Sequence, residues 1–235
     1  MSPTKTRGGA DGDKDGGGSP ERKAAAHIIS PYYREEKPET LGFDSIFESG
    51  NLAIAQKVSE GEYNLVLQND VNTSGHTQWF YFKVKANYTR PTTVRFHIVN
   101  LYKGKSLYEE GLRVLVLDCT GIDYDKAVWG APDEDLPVWK RGGADITYKQ
   151  NEYYGSSYHR LYSLSFSYEF AAGEQELYFA HSIPYTYSLL NYYLNNSGKK
   201  RMQLCHSLAG NKCEYLHITN NQSKIEDKKI VFITS

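Results

Sequence analysis

Cysteine is scarce: Cys119, Cys205 and Cys213 are the three in 235 residues, an odd number too small for a disulfide framework. That usage points to a reducing compartment. An excess of charge of one sign is also missing. Lys and Arg total 27 against 28 Asp and Glu, a formal net charge of −1, so no long-range field favours nucleic acid or an anionic membrane as partner. No apolar run approaches the roughly 20 residues of a membrane span, and the amino terminus lacks the apolar stretch of a secretory signal. The expectation is a soluble, cytoplasmic chain with no nucleic-acid and no membrane partner. Asn-x-Ser/Thr sequons at Asn72, Asn87, Asn195 and Asn221 carry no meaning in that setting, because the pattern arises readily by chance. Also missing are a Gly-x-Ser-x-Gly nucleophile elbow and a paired Cys-x-x-Cys.

What is present falls into successive parts. Residues 1–26 are Gly, Asp, Lys and Ser with almost no large apolar side chain. Such a segment cannot bury enough surface to offset its ordering entropy, so it is expected to be a disordered tail. A lead-in, 27–42, follows. From 43 to 182 the pattern is short alternating runs separated by polar turns. Tyr63–Asn69 places Tyr63, Leu65 and Leu67 on one face; Trp79–Val84 places Phe80, Phe82 and Val84 on one face and Trp79 and Tyr81 on the other. Val94–Asn100, Leu112–Asp118, Leu161–Phe170 and Glu176–His181 add four more candidate strands rich in aromatic and branched residues. No helix-period segment of convincing length interrupts them, which predicts an antiparallel β-sandwich or barrel. The longer stretch from Asp118 to Tyr158 is expected to hold loops and one hairpin at most.

After His181 the pattern changes. Ser182 as cap and Pro184 in the first turn predict a helix through Asn196, closed by Asn-Asn-Ser-Gly. It is apolar nearly all round, which predicts burial between two layers. Cys213–Thr219 and Lys229–Thr234 read as strands, the second apolar on both faces, as in a sheet covered on both sides. A helix followed by such strands resembles the opening of an α/β domain.

Four local constellations have both a chemical and a structural reading. Cys205, His206, Cys213 and His217 are zinc-ligand types, but adjacent Cys205 and His206 fit one tetrahedral site poorly. Buried strand cysteines and a surface histidine account for them better. His181, Ser182 and Glu176 have the residue types of a hydrolase, yet Ser182 reads more simply as a cap. Trp79, Tyr81 and the other aromatics, with 20 tyrosines in all, suit either a carbohydrate or peptide platform or a second buried face against a neighbouring domain. Acidic pairs such as Glu109 and Glu110 read as solvated charge.

The segments Phe47–Leu52 (FESGNL), Tyr63–Val84, Phe96–Asn100 (FHIVN) and Lys105–Leu115 closely resemble the N-terminal domain of cytosolic carboxypeptidases. Tyr178–Leu190 resembles the family's junction with its catalytic domain, and Leu204–Asn220 the first strands of that domain. The resemblance implies a sandwich over 43–182 and, over 183–235, the start of a zinc carboxypeptidase α/β domain that stops before the first zinc-ligand motif. In the family, a strand equivalent to KKIVFITS leads into a His-x-x-Glu motif with two zinc ligands; a third histidine, substrate-binding arginines and a glutamate base lie further on. By resemblance, then, no catalytic, cofactor-binding or metal residue is expected in this chain, and zinc belongs to the full-length enzyme. The implied activity is removal of glutamates from polyglutamate side chains or C-termini of tubulin and other proteins. The implied partners are the remainder of the catalytic domain and glutamylated proteins, in the cytoplasm and at microtubules. An alternative is a free-standing module that binds acidic protein tails through Lys103, Lys105 and Arg113.

Overall fold

The structure, a computed structural model, describes residues 41–70, 73–123, 138–155, 158–220, 222 and 224–233. The expected tail, 1–26, and nearly all of the lead-in, 27–42, lie outside the described residues. Two five-stranded sheets face each other. The first has the order β1 (Gly42–Asp44), β4 (Tyr81–Tyr88), β10 (Gly173–Ala180), β6 (Val114–Asp118) and β7 (Lys140–Gly142). The second runs β2 (Leu52–Ser59), β3 (Glu62–Leu67), β5 (Thr92–Leu101), β9 (Arg160–Phe170) and β8 (Ala144–Tyr154).

Alternation along the strands decides which side chains fill the space between the sheets. Tyr63, Leu65 and Leu67 are buried from β3, and Phe80, Phe82 and Val84 from β4 and the residue before it. Phe82 stacks on Phe179 with centroids 5.5 Å apart, and Phe96 reaches across to Phe179 at 5.7 Å. Each fully buried ring contributes about 1.5–3 kcal/mol from area alone. The opposite parity of the first sheet is buried too. Tyr81, Leu115, Leu117, Cys119 and Tyr178 form a second cluster covered by Phe47, Trp79 and Trp139. Trp79 and Tyr81 therefore belong to a second buried face, but its cover comes from this chain's own loops and not, as expected, from a neighbouring domain.

Several expectations need correction. The sandwich is antiparallel except at β3 and β5, which pair in parallel. The chain crosses to the other sheet as β4 and returns, so β5 re-enters beside β3 in the same direction. The stretch expected to be mostly loop contributes β7 and β8, the latter 11 residues long. The helix, α1 (Tyr187–Asn196), is capped by Thr186 rather than Ser182: the Thr186 hydroxyl accepts from the Leu189 N–H at 3.1 Å. Nor is α1 buried between layers; none of its residues is buried. Among the described residues it is held by polar ties, from the Ser188 N–H to Glu48 (2.9 Å) and from the Tyr187 hydroxyl to the Lys212 carbonyl (3.2 Å). Among the described residues no second layer covers its apolar surface. The expected strand Lys229–Thr234 does not form over the described residues 229–233, and Phe232 and Ile233 are 87% and 91% exposed. Apolar side chains alone do not make a strand when no neighbour supplies the ladder. The remaining hairpin pairs β11 (Arg201–His206) with β12 (Lys212–Leu216): β12 overlaps the strand read at Cys213–Thr219, and β11 begins before the Leu204–Asn220 stretch that the resemblance reads as strands.

Candidate functional site

One end of the sandwich carries a groove of about 790 Å³. Its walls come from the segment 75–78 before β4, from Tyr102–Gly104 after β5, and from the β8–β9 end at Gln150, His159 and Arg160. Small residues shape it. A Cβ on Gly75 would fall 2.7 Å from the Tyr102 ring, and one on Gly104 would fall 3.1 Å from the Tyr162 hydroxyl. Only glycine lets both loops lie this close to the aromatic rings. The Tyr102 hydroxyl donates to the Ser74 carbonyl (3.1 Å) and the Tyr102 N–H to the Thr77 carbonyl (3.3 Å), which fixes the loop. Thr77, buried beneath, donates its hydroxyl to the Asn100 carbonyl.

The groove is electropositive. Lys103 and Arg160, with His76 and His159, line it, and no Asp or Glu is among the described lining residues. Lys103, His76, His159 and Arg160 are all exposed. Beside it a cavity of about 10 Å³ is lined in part by Tyr108, Tyr148 and His181. His181 Nδ1 and the Tyr108 hydroxyl share a hydrogen bond of 3.3 Å. Burial first, then the positive charges of Arg141 and Lys103, hold His181 below its ordinary pKa. Burial raises the Tyr108 phenol, and Tyr148 is pushed up to about 12 by burial, with Glu109 and Tyr162 adding to it. Tyr148 donates to the Lys103 carbonyl and stacks on Tyr162 at 5.8 Å. These buried tyrosines and the half-buried His181 hold the floor under Lys103.

The constellations singled out in the sequence are not assembled into a reactive centre. Glu176 is bound by Lys85 (2.9 Å) and Lys83 (3.5 Å), away from the His181–Tyr108 pair, so no Ser-His-acid arrangement exists there. Cys205 pairs with Cys213 across the hairpin, His206 lies opposite Lys212, and His217 follows the end of β12. Successive strand residues point to opposite faces, so Cys205 and His206 do not converge. Among the described residues no group of three or more His, Cys, Asp or Glu is placed to hold a metal, and these residues do not fit a zinc site. Of the three cations proposed for acidic tails, Lys103 lines the groove, but Arg113 spends its guanidinium on the Gly143 carbonyl, with Nε at 3.1 Å. Lys105 is exposed and does not line the groove. Sequence reading missed His76, His159 and Arg160: His76 had a local signal in the polar, Gly-containing run before Trp79, and His159 and Arg160 one in the run GSSYHR at 155–160.

A family model described as the cytosolic carboxypeptidase N-terminal domain matches residues 43–132. The chain is 39% identical over 204 residues to Cytosolic carboxypeptidase 2 of Danio rerio, covering 83% of this chain and 26% of that protein. It is 41% identical over 208 residues to Cytosolic carboxypeptidase 2 of Xenopus tropicalis, covering 83% and 20%. With Cytosolic carboxypeptidase 1 of Danio rerio it shares 33% identity over 207 residues, covering 82% and 17%. The chain thus spans about a quarter or less of the length of these curated relatives. Among solved structures, a putative carboxypeptidase A from Shewanella denitrificans overlays with TM-score 0.49 at 17% identity, covering 73% of this chain and 38% of that one. A metallo-carboxypeptidase from Burkholderia cenocepacia gives 0.48 at 14%, covering 79% and 42%. The match of residues 43–132 to that domain, and 39% identity over 204 residues to one of its full-length members, place this chain in the cytosolic carboxypeptidase family.

Proposed function

We propose that this chain is the amino-terminal portion of a zinc metallocarboxypeptidase that trims glutamates from protein tails such as those of tubulin, acting in the cytoplasm and at microtubules. In this reading 43–182 is the supporting sandwich and 183–235 begins the carboxypeptidase domain. The segment itself does not catalyse. It supports the folding of a catalytic domain joined to it and helps select the substrate. The observation that carries the reading is the similarity, at 39–41% identity over more than 200 residues, to cytosolic carboxypeptidases. Zinc enters as the cofactor of the full-length enzyme, and no step is assigned to it on these residues.

The electropositive groove supports a recognition role. A glutamate-rich tail is extended and carries a carboxylate on every residue, which suits a trough lined by Lys103 and Arg160 with Tyr102 along one wall. The same groove favours a second reading, a free-standing binding module for acidic tails. The test uses fluorescence anisotropy with a fluorescent polyglutamylated peptide, alongside zinc content and glutamate release, for this chain and for a longer polypeptide that includes a carboxypeptidase domain. Expected are peptide binding that weakens with salt and several-fold with Lys103→Glu, and glutamate release by the longer polypeptide only. Release by the present chain would overturn the non-catalytic assignment. Unchanged binding in Lys103→Glu would overturn the groove, and a longer polypeptide without release would leave the binding module as the better account.

A further inference from the structure

Across the hairpin β11–β12, Cys205 and Cys213 are direct cross-strand partners and both are free thiols. The pairing depends on a local irregularity. Gln203 pairs with Glu214, and a bulge then leaves Leu204 unpaired, so that Cys205 rather than Leu204 comes opposite Cys213. Facing residues of an antiparallel pair have Cα atoms about 4.5 or 5.5 Å apart. Both values lie within the roughly 4.4–6.8 Å that a disulfide spans.

The two sulfurs differ in access. Cys205 is exposed and Cys213 is partly covered. Cys213 holds its proton above the ordinary thiol range, chiefly through the neighbouring Cys205 thiol and secondly through burial. Cys119 is different in kind. It is buried in the outer cluster of the first sheet and its thiol is pushed up to about 12 by burial, with Glu176 and Asp118 adding to it. It is a built-in unreactive reference.

We propose that Cys205 and Cys213 are a modification site: a dithiol that closes reversibly to an intramolecular disulfide, with a low-molecular-weight disulfide such as glutathione disulfide as oxidant. Cys205, as thiolate, attacks one sulfur of glutathione disulfide; a protein–glutathione bond forms, the glutathione S–S bond breaks, and one glutathione thiolate leaves and takes up a proton. Cys213, losing its proton, then attacks the Cys205 sulfur; the cross-strand bond forms and the second glutathione leaves as thiolate. Two protein thiols are oxidised and one glutathione disulfide is reduced to two glutathiones. The bond staples the hairpin whose Arg201 is tied to Glu214 and, at 2.8 Å, to Asn191 of α1. It goes beyond the recognition role and does not depend on it.

The test is to equilibrate the whole chain in glutathione buffers of increasing disulfide content, quench with an alkylating reagent, digest with trypsin and analyse by mass spectrometry. Cleavage after Arg201, Lys212 and Lys224 separates the two cysteines onto different peptides, so the bridge appears as a linked pair, Met202–Lys212 with Cys213–Lys224. Expected is a linked pair that a reductant dissolves, while Cys119 is recovered as thiol. In Cys213→Ser, Cys205 should stop at the glutathione adduct, which accumulates on the order of tenfold above wild type because the facing thiol no longer displaces it. A wild-type chain that accumulates the Cys205–glutathione adduct without the linked pair overturns the proposal. So does a bridge to Cys119. Both positions lie outside the sandwich cores, and an unchanged thermal melt of Cys213→Ser establishes that the variant is folded.

Discussion

Replacing Phe96 by alanine tests whether the two sheets are held by one continuous aromatic core. Phe96 is fully buried in β5 and its ring meets Phe166 at 5.4 Å, Phe179 at 5.7 Å, Phe43 at 6.2 Å, and Tyr63 and Phe170 at 6.3 Å. Phe179 belongs to the opposite sheet, so the ring is a cross-sheet bridge. A buried Phe→Ala change costs about 3–5 kcal/mol, and aromatic neighbours favour the upper half of that range. A domain of this size has about 5–15 kcal/mol in all. A loss of about 4 kcal/mol lowers the melting temperature by roughly 8–16 °C. Urea unfolding followed by tryptophan fluorescence reads it directly, because Trp79 and Trp139 pack on the first sheet. Phe96→Leu, which keeps most of the volume, is the milder variant should Phe96→Ala not fold. Phe232→Ala is the control: the side chain is 87% exposed, so its effect stays within about 0.5 kcal/mol. A Phe96→Ala loss below about 1 kcal/mol, or a Phe232→Ala loss of equal size, would refute the packing argument.

Acid stability should carry the signature of His181. Its pKa is held below the ordinary 6.5, so on acidification the unfolded chain takes up this proton first. Stability from this residue is then constant above about 6.5 and falls as the pH drops below that value; thermal melts at stepped pH on wild type and His181→Gln should show a shallower acid slope in the variant. Gly142→Ala brings a Cβ to 2.8 Å from Val116 Cγ2, where β7 meets β6. It should cost about 1–3 kcal/mol by overpacking, and adding Val116→Ala should recover part of that loss in a double-mutant cycle; strictly additive losses would contradict the clash.

Much of the sandwich was legible because its strands carry period-two patterns that local chemistry imposes. Leu65 and Leu67 on one face of β3, and Phe82 and Val84 against Tyr81 on β4, were placed correctly from alternation alone. β8 was less visible: its run ADITYKQNEYY has few large aliphatic residues, since it sits at the edge of its sheet. The apolar run before Thr234 misled in the opposite sense. Its composition favours a strand, but a strand exists only when a neighbour accepts its backbone hydrogen bonds, and composition does not reveal the neighbour.

What the sequence by itself determined is the mainly β class, the inward face of β4 and the family, because side-chain parity and long ordered motifs are local properties of the chain. Tertiary structure alone decided the parallel return of β5 beside β3, the exposure of α1, the groove and the thiol pair. The groove joins His76, Lys103 and Arg160, residues far apart in the chain, and the pair at Cys205 and Cys213 exists only because one bulge shifts the register at Leu204. Both depend on which strand lies beside which, and at what offset, and that is a property of the packed whole.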